Sequence, residues 1–347
     1  MFNIGNKVIG DGNGAFIIAE AGVNHNGDIN IAKKLVDEAV FAGVDAIKFQ
    51  TFKTEKLVTG YADMAEYQRD NLGKVDSQFN MLKKLELSYE EFIELQAYCK
   101  DKEIMFLSTP FDFESADFLE SIGMKAFKIS SGDLTNIPFL EHIAKFNKPI
   151  ILSSGMATLS EIEEAINAIY SLGNKEVAVL HCTSNYPAKL QSVNLNAMNT
   201  IKNAFKIVSG YSDHTEGITI PIAAVAMGGD IIEKHFTLDK NMEGPDHKAS
   251  LNPLELKDMI VAIRAVEMAL GTGVKRYNLS EVDTMKAARK SIVAARNIKV
   301  GESIEVLDLD YKRPGTGLSP KFYVDIIGKR ANRDIKVDEQ ISLNMVE

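Results

Sequence analysis

The chain has 347 residues, 45% hydrophobic and 25% charged, enough apolar material for a large core in one big domain or a big and a small one. A net charge of −9 without a basic run argues against nucleic acid and anionic membrane as partners, though a few local lysines could still gather a small anion. Two cysteines, Cys99 and Cys182, far apart in sequence, form no disulfide framework and fit a reducing cytoplasm.

The opening MFNIGNKVIG lacks the features of a signal peptide, and the longest apolar run, around Ile218 to Ile232, is broken by Pro221, Gly228, Gly229 and Asp230. Neither export nor a membrane span is expected. Eight apolar segments then recur: FIIAEAG (16–22), AIKFQTF (46–52), MFLSTPF (105–111), AFKISSG (126–132), PIILSSGM (149–156), VAVLHCTS (177–184), IVSGYSDH (207–214) and DIIEKHFT (230–237). Helical spacing fills the gaps, with start signals at Asp28, Ser88 and Ser160. Eight such β/α alternations predict a parallel sheet closed into a (β/α)8 barrel, with an open doubly wound sheet as the competing architecture. The segment 53–77 is too long for an ordinary barrel loop and reads as a candidate lid.

A last helical stretch ends at Gly271, so the barrel is placed at 1–271, a polar linker at 272–290 and a small β-rich domain at 291–347. Within that domain NIKVGESI (297–304) is echoed by DIKVDEQI (334–341), which suggests two related turn units. About sixty residues form a marginal core, so the domain is expected to pack on the barrel or on another subunit.

Active sites of such barrels lie at the carboxyl ends of the strands. There the sequence places Glu20, Lys48, Gln50, Thr109, Lys128, Ser131, Ser153, His181, Thr183, Ser212, Asp213, His214, Glu233, Lys234 and His235. Any single Ser or Thr could simply meet solvent. Lys48 and Lys128, flanked by apolar residues, are instead suited to a multiply charged anion, and the SSG runs at 130–132 and 153–155 could add donors for phosphate. Alternation puts Lys48 with Gln50, and Glu233 with His235, on common faces. His214 and His235 end neighbouring strands and could share a divalent ion if substrate, water or Asp246 completed its shell, or could be structural. Glu20 could handle protons, hold a hydroxyl or pair with a lysine; Cys182 reads as a structural thiol.

The motifs AEAGVNHNG, IKFQTF, STPFD, KISSGD, ILSSGMA, HCTSNYP, GYSDHT, EKHFTLDK, GPDHKAS and KRPGTG, in this order over essentially the whole chain, resemble the sialic acid synthase family. The resemblance implies a TIM barrel with a C-terminal antifreeze-like (SAF) domain, condensation of phosphoenolpyruvate with an N-acetylated mannosamine-type sugar, a divalent metal (Mn2+ or Mg2+), and a domain-swapped homodimer. It implies Lys48, Thr109, Lys128, Ser131, Ser153 and Ser212 around phosphoenolpyruvate, and His214 and His235 on the metal. Glu20, Gln50, Ser184, Tyr186 and Asp246 fall on the sugar side, and Arg313 arrives from the other subunit. Ser184 stands where some neuraminate synthases carry Asn, and HKAS after GPD also differs. N-acetylmannosamine is the first expectation for the acceptor, and 2,4-diacetamido-2,4,6-trideoxymannose the alternative. Two rival readings, a barrel condensing enzyme for sugar phosphates and a non-catalytic carbohydrate-binding protein, fit the lysine and histidine set less well.

Overall fold

A computed structural model describes residues 1–64, 68–69 and 77–347, in two compact units, Met1–Gly271 and Thr272–Glu347. Part of the candidate lid, 65–67 and 70–76, lies outside the described residues.

In the first unit the eight apolar runs become eight parallel strands: β3 (Phe16–Gly22), β4 (Ala46–Thr51), β5 (Met105–Pro110), β6 (Phe127–Ile129), β7 (Ile150–Ser153), β8 (Val177–Cys182), β9 (Val208–Asp213) and β10 (Ile231–His235). They pair in the order β5-β4-β3-β10-β9-β8-β7-β6. β5 and β6 then lie side by side without ladder pairing, so the barrel is nearly closed. Every residue of β3, β6, β7, β9 and β10 is buried, as expected where side chains pack inside the barrel and helices cover the outside. The helix Ile29–Ala42 shows how: it buries Ala32, Leu35, Val36, Ala39 and Ala42, one stripe at helical spacing, and starts where Asp28 accepts from the amide of Asn30.

Two local features depart from the sequence reading. The first ten residues form a hairpin, β1 (Phe2–Ile4) against β2 (Lys7–Ile9), whose Phe2, Ile4 and Ile9 join the main core. Gly5 in its turn lies against Met105 at the start of β5, and Gly10 against Val208 at the start of β9, so the hairpin lies over the amino ends of the strands. The helix expected to be capped by Ser160 starts at Leu159 and is capped by Thr158, which accepts from the amide of Glu161, whose carboxylate accepts back from the Thr158 amide.

The second unit has its own core of Ile292, Ile298, Ile304, Ile326, Ile335 and Ile341 among others. β11 (Ser291–Ala294) runs antiparallel to β12 (Leu309–Lys312). The two echoed octapeptides meet at equivalent positions, Ile298 and Ile335 exchanging backbone hydrogen bonds of 2.8 Å. Gly301 and Asp338, also equivalent, both adopt left-handed backbone at φ 81° and 66°, so the repeat is a repeat of turns. Residues 272–290 group with this unit and contain a helix, Val282–Ala288, whose Lys286 carbonyl accepts from Gly315.

Candidate active site

The strands run in one direction, so their carboxyl ends open together, and a cavity of about 530 Å3 lies there. Glu20, Lys48, Gln50, Thr109, Lys128, Ser131, Ser153, Ser184, Tyr186, Ser212, His214, His235 and Asp246 all line it. Arg313 lies in the second unit, where its Nε donates to the carbonyl of Ala288 at 3.0 Å.

The alternation along β9 and β10 sorts the charged run at 231–235 into two environments. Glu233 and His235 line the cavity. Lys234, between them, does not, and its buried ammonium meets Asp213 at 2.6 Å and donates to the carbonyl of Thr215. Lys234 and Asp213 are therefore a buried pair of the barrel wall, not site residues. His181 is likewise tied down, 2.7 Å from the carbonyl of Val193.

At the centre, two ammonium groups and two carboxylates share a space from which water is largely excluded. Lys48 and Lys128 are 3% and 4% exposed, Glu20 and Glu233 2% and 4%. Lys48 Nζ lies 2.5 Å from Glu20 Oε2, 3.8 Å from Glu233 Oε2, and donates to Thr109 Oγ1 at 2.7 Å. Lys128 Nζ lies 3.4 Å from Glu233 Oε1, which also accepts from Ser212 Oγ at 2.7 Å. Gln50 Nε2 donates to Glu20 Oε1 at 3.0 Å. A β-bulge between Glu20 and Gly22 breaks the register of β3 against β4 beside Glu20.

The two carboxylates do not titrate alike. Burial raises Glu20, and Glu233 raises it further while Lys48 opposes; it is pushed up to about 7. Burial also works against the charge on Glu233, but Lys128 and Lys48, with the Ser212 hydroxyl, overcome it and hold this carboxyl at about 2. Glu233 is thus a fixed anion, while Glu20 can gain or lose a proton near neutrality. Burial lowers Lys128 and raises Asp246 to about 6.

Across the cavity the His214 and His235 rings lie 5.4 Å apart, with Tyr186 packed 4.0 Å from His214. His214 Nδ1 is 2.8 Å from the carbonyl of Thr183, which requires a proton on Nδ1 and leaves Nε2 as the ligating atom of the neutral ring. Burial, then His214, hold His235 well below the usual imidazole range, and its buried Nδ1 finds no hydrogen-bond partner among the described residues. A neutral, under-satisfied imidazole beside another with a fixed tautomer is a donor set that fits a divalent ion. Among the described residues no group of three or more His, Cys, Asp or Glu is arranged to hold a metal, so the protein offers two nitrogens and other ligands would have to be oxygens of substrate or water.

The serine loops approach closely because of Gly155. Its amide donates to Ser131 Oγ at 2.9 Å, and a Cβ there would stand 2.1 Å from Ser184 Oγ and 2.8 Å from Ser131 Oγ. A neighbouring cavity of about 600 Å3, lined by Ser154, Thr183, Asn185, Asn194 and Thr200, shares Met156, Cys182 and Ser184 with the first but has no lysine or carboxylate in its lining. The titratable side chains of the candidate site gather in the first.

Residues 35–275 match the family model described as the NeuB family, and residues 289–347 that of the SAF domain. The chain belongs to the NeuB family. This NeuB-family chain is 51% identical over 327 residues to N,N'-diacetyllegionaminic acid synthase of Campylobacter jejuni, covering 94% of this chain and 98% of that one. It is 45% identical over 336 residues to the protein of the same name from Legionella pneumophila, with 96% and 94% covered. Among solved structures, the N-acetylneuraminic acid synthetase of Leptospira borgpetersenii superposes with a TM-score of 0.73 at 37% identity, over 82% of this chain and 94% of that one. The NeuB-family protein is accordingly an enzyme, a TIM-like barrel joined to an SAF domain. No helix among its described residues is long and apolar enough to cross a membrane.

Glu233 was visible in the sequence only as a strand-end residue sharing a face with His235; that it couples both lysines depends on distances no spacing encodes. Val23, Met81, Leu82, Leu85 and Phe111 also line the cavity, and nothing in their sequence distinguishes them from core residues.

Proposed function

We propose that the protein condenses phosphoenolpyruvate with 2,4-diacetamido-2,4,6-trideoxymannose and water, releasing N,N'-diacetyllegionaminate and phosphate. The reaction is supported by one arrangement above all: two buried lysines and a ring of hydroxyls around a fixed carboxylate and a titratable one, in a single cavity. The acceptor is supported by the two relatives that share a name at 51% and 45% identity, against 37% for the neuraminate synthetase structure. This replaces N-acetylmannosamine, the first expectation.

Lys48 and Lys128 balance the phosphate and carboxylate of the donor, and their burial strengthens that attraction. Thr109, Ser131, Ser153 and Ser212 add neutral donors that orient the same anion. Carbon 3 of the donor forms a bond to carbon 1 of the open-chain sugar, whose carbonyl oxygen takes up a proton from the Glu20 carboxyl. Water adds at carbon 2 of the resulting cation and returns one proton to Glu20; the bond from carbon 2 to the phosphate oxygen then breaks, and the remaining hydroxyl proton leaves with the phosphate as hydrogen phosphate, giving the 2-keto acid. Gln50, Ser184, Tyr186 and Asp246 hold the sugar. His214 and His235 would hold a divalent ion, Mn2+ or Mg2+, which when bound supplies Lewis-acid polarisation of the acceptor carbonyl. A homodimer in which the SAF unit of one subunit carries Arg313 to the barrel of the other completes the proposal.

Phosphate release from phosphoenolpyruvate, measured with each sugar in Mn2+ and in chelator, tests it. Faster release with the diacetamido sugar, lost on chelation and restored by Mn2+, is expected. Faster release with N-acetylmannosamine would return the acceptor to that sugar, and no release with either would overturn the reaction.

A further inference from the structure

The donor accounts for the charged lining of the cavity but not for its apolar lining. Val23, Met81, Leu82, Leu85 and Phe111 line the same space as Glu20 and Lys48, and they pack with Phe52 and Met64 in an apolar cluster distinct from the barrel core. Three of them come from one short helix, Gln78–Leu85, capped by Ser77. The same cavity is also lined by uncharged amides, Gln50, Gln68 and Gln78. A trianion with one methylene group has no use for such a surface. A sugar end rich in hydroxyls would lose hydrogen bonds to water against it, because methyl and thioether groups return none.

We infer that this wall receives the methyl groups of the acceptor, the acetyl methyl and the deoxygenated carbon 6, so that Met81, Leu82 and Leu85 set which acylamino sugar is used. The inference rests on the condensation proposed above and names the part of the site that selects its acceptor. Met81 and Leu85 are 6% and 7% exposed, so their positions are fixed by packing as a selective surface requires.

The test uses two acceptors that differ only at carbon 6, 2-acetamido-2-deoxymannose and its 6-deoxy counterpart. Wild type should favour the 6-deoxy sugar in kcat/KM by about tenfold or more, the usual scale for a group matched to an apolar pocket. Met81→Gln should bring the ratio to near one, Met81→Leu should keep it, and the KM for phosphoenolpyruvate should stay within about twofold in both. Leu82→Thr, at a partly buried position, is the second variant should Met81→Gln fail to fold. A ratio near one in wild type, or a ratio unchanged in the polar variants, would overturn the inference. Calorimetric titration of both sugars reads the same ratio without turnover. An enzyme that binds the 6-deoxy sugar selectively but releases no phosphate would sink the proposed reaction and leave the wall standing.

Discussion

Two carboxyl groups a few ångströms from one ammonium cannot both carry charge comfortably, and here the neighbours decide which does. Glu233 has Lys128 and Ser212 to itself; Glu20 has Lys48 and an amide. Below pH 4.5, the ordinary glutamate value, Glu20 is protonated in folded and unfolded chain alike. Between there and about 7 the unfolded chain ionises first, so whatever stability the neutral form contributes is lost as pH rises through the folded value. Glu20→Gln should therefore melt above wild type at pH 8, by the equivalent of on the order of 2 kcal/mol, with the gap closing toward pH 4. The same variant should lower turnover by ~100-fold or more and remove the limb of the pH-rate profile near 7. Glu233→Gln should act the other way, leaving the buried Lys128 ammonium without its carboxylate partner at a cost of about 3–5 kcal/mol. Phosphoenolpyruvate should raise its melting temperature more than that of wild type, since an anion would then fill the gap. Strand parity alone placed Lys48 with Gln50 and Glu233 with His235. Which carboxyl stays neutral could not be read that way, because it depends on the separation of groups from β3, β4, β6 and β10.

At the scale of elements, the strands were legible because a parallel barrel buries both faces, so each one appears as a continuous apolar run ending in polar residues. Helix starts were less so. ATLSEIEE offers two hydroxyls, each with a glutamate three residues on, Glu161 from Thr158 and Glu163 from Ser160; the sequence points to Ser160, whereas in the structure the reciprocal pair forms between Thr158 and Glu161. Thr158→Ala should lower stability by about 1 kcal/mol in denaturant melts, whereas Ser160→Ala should change it by a few tenths. The amino-terminal hairpin is not legible in the sequence because three-residue strands leave too short a pattern. The wall from Gln78–Leu85 is not legible there either, because Met81, Leu82 and Leu85 have the spacing of any buried stripe.

For the whole molecule, the SAF unit has a core and a turn repeat of its own, and carries Arg313 on its surface. Arg313→Ala should lower kcat/KM for the acceptor by about 10- to 100-fold, the loss of a charged hydrogen bond, with little change in the KM for phosphoenolpyruvate. The proposed exchange between subunits has a sharper signature. Arg313→Ala and His235→Ala subunits, each weak alone, should regain activity when mixed and reassembled, because one of the two sites in the mixed dimer would then carry neither change. Mixtures no better than their parents would show that each barrel uses its own SAF unit.

The hairpin covers the amino ends of the strands, and the described cavity opens at the other end, among their carboxyl ends. Lys48 and Glu233 stand two residues further in than Gln50 and His235 on the same strands, so a donor gripped by the lysines lies behind whatever sits at the rim. On the proposed reaction traffic should then queue: the three-carbon molecule enters ahead of the sugar, and inorganic phosphate waits inside until the nine-carbon acid has left.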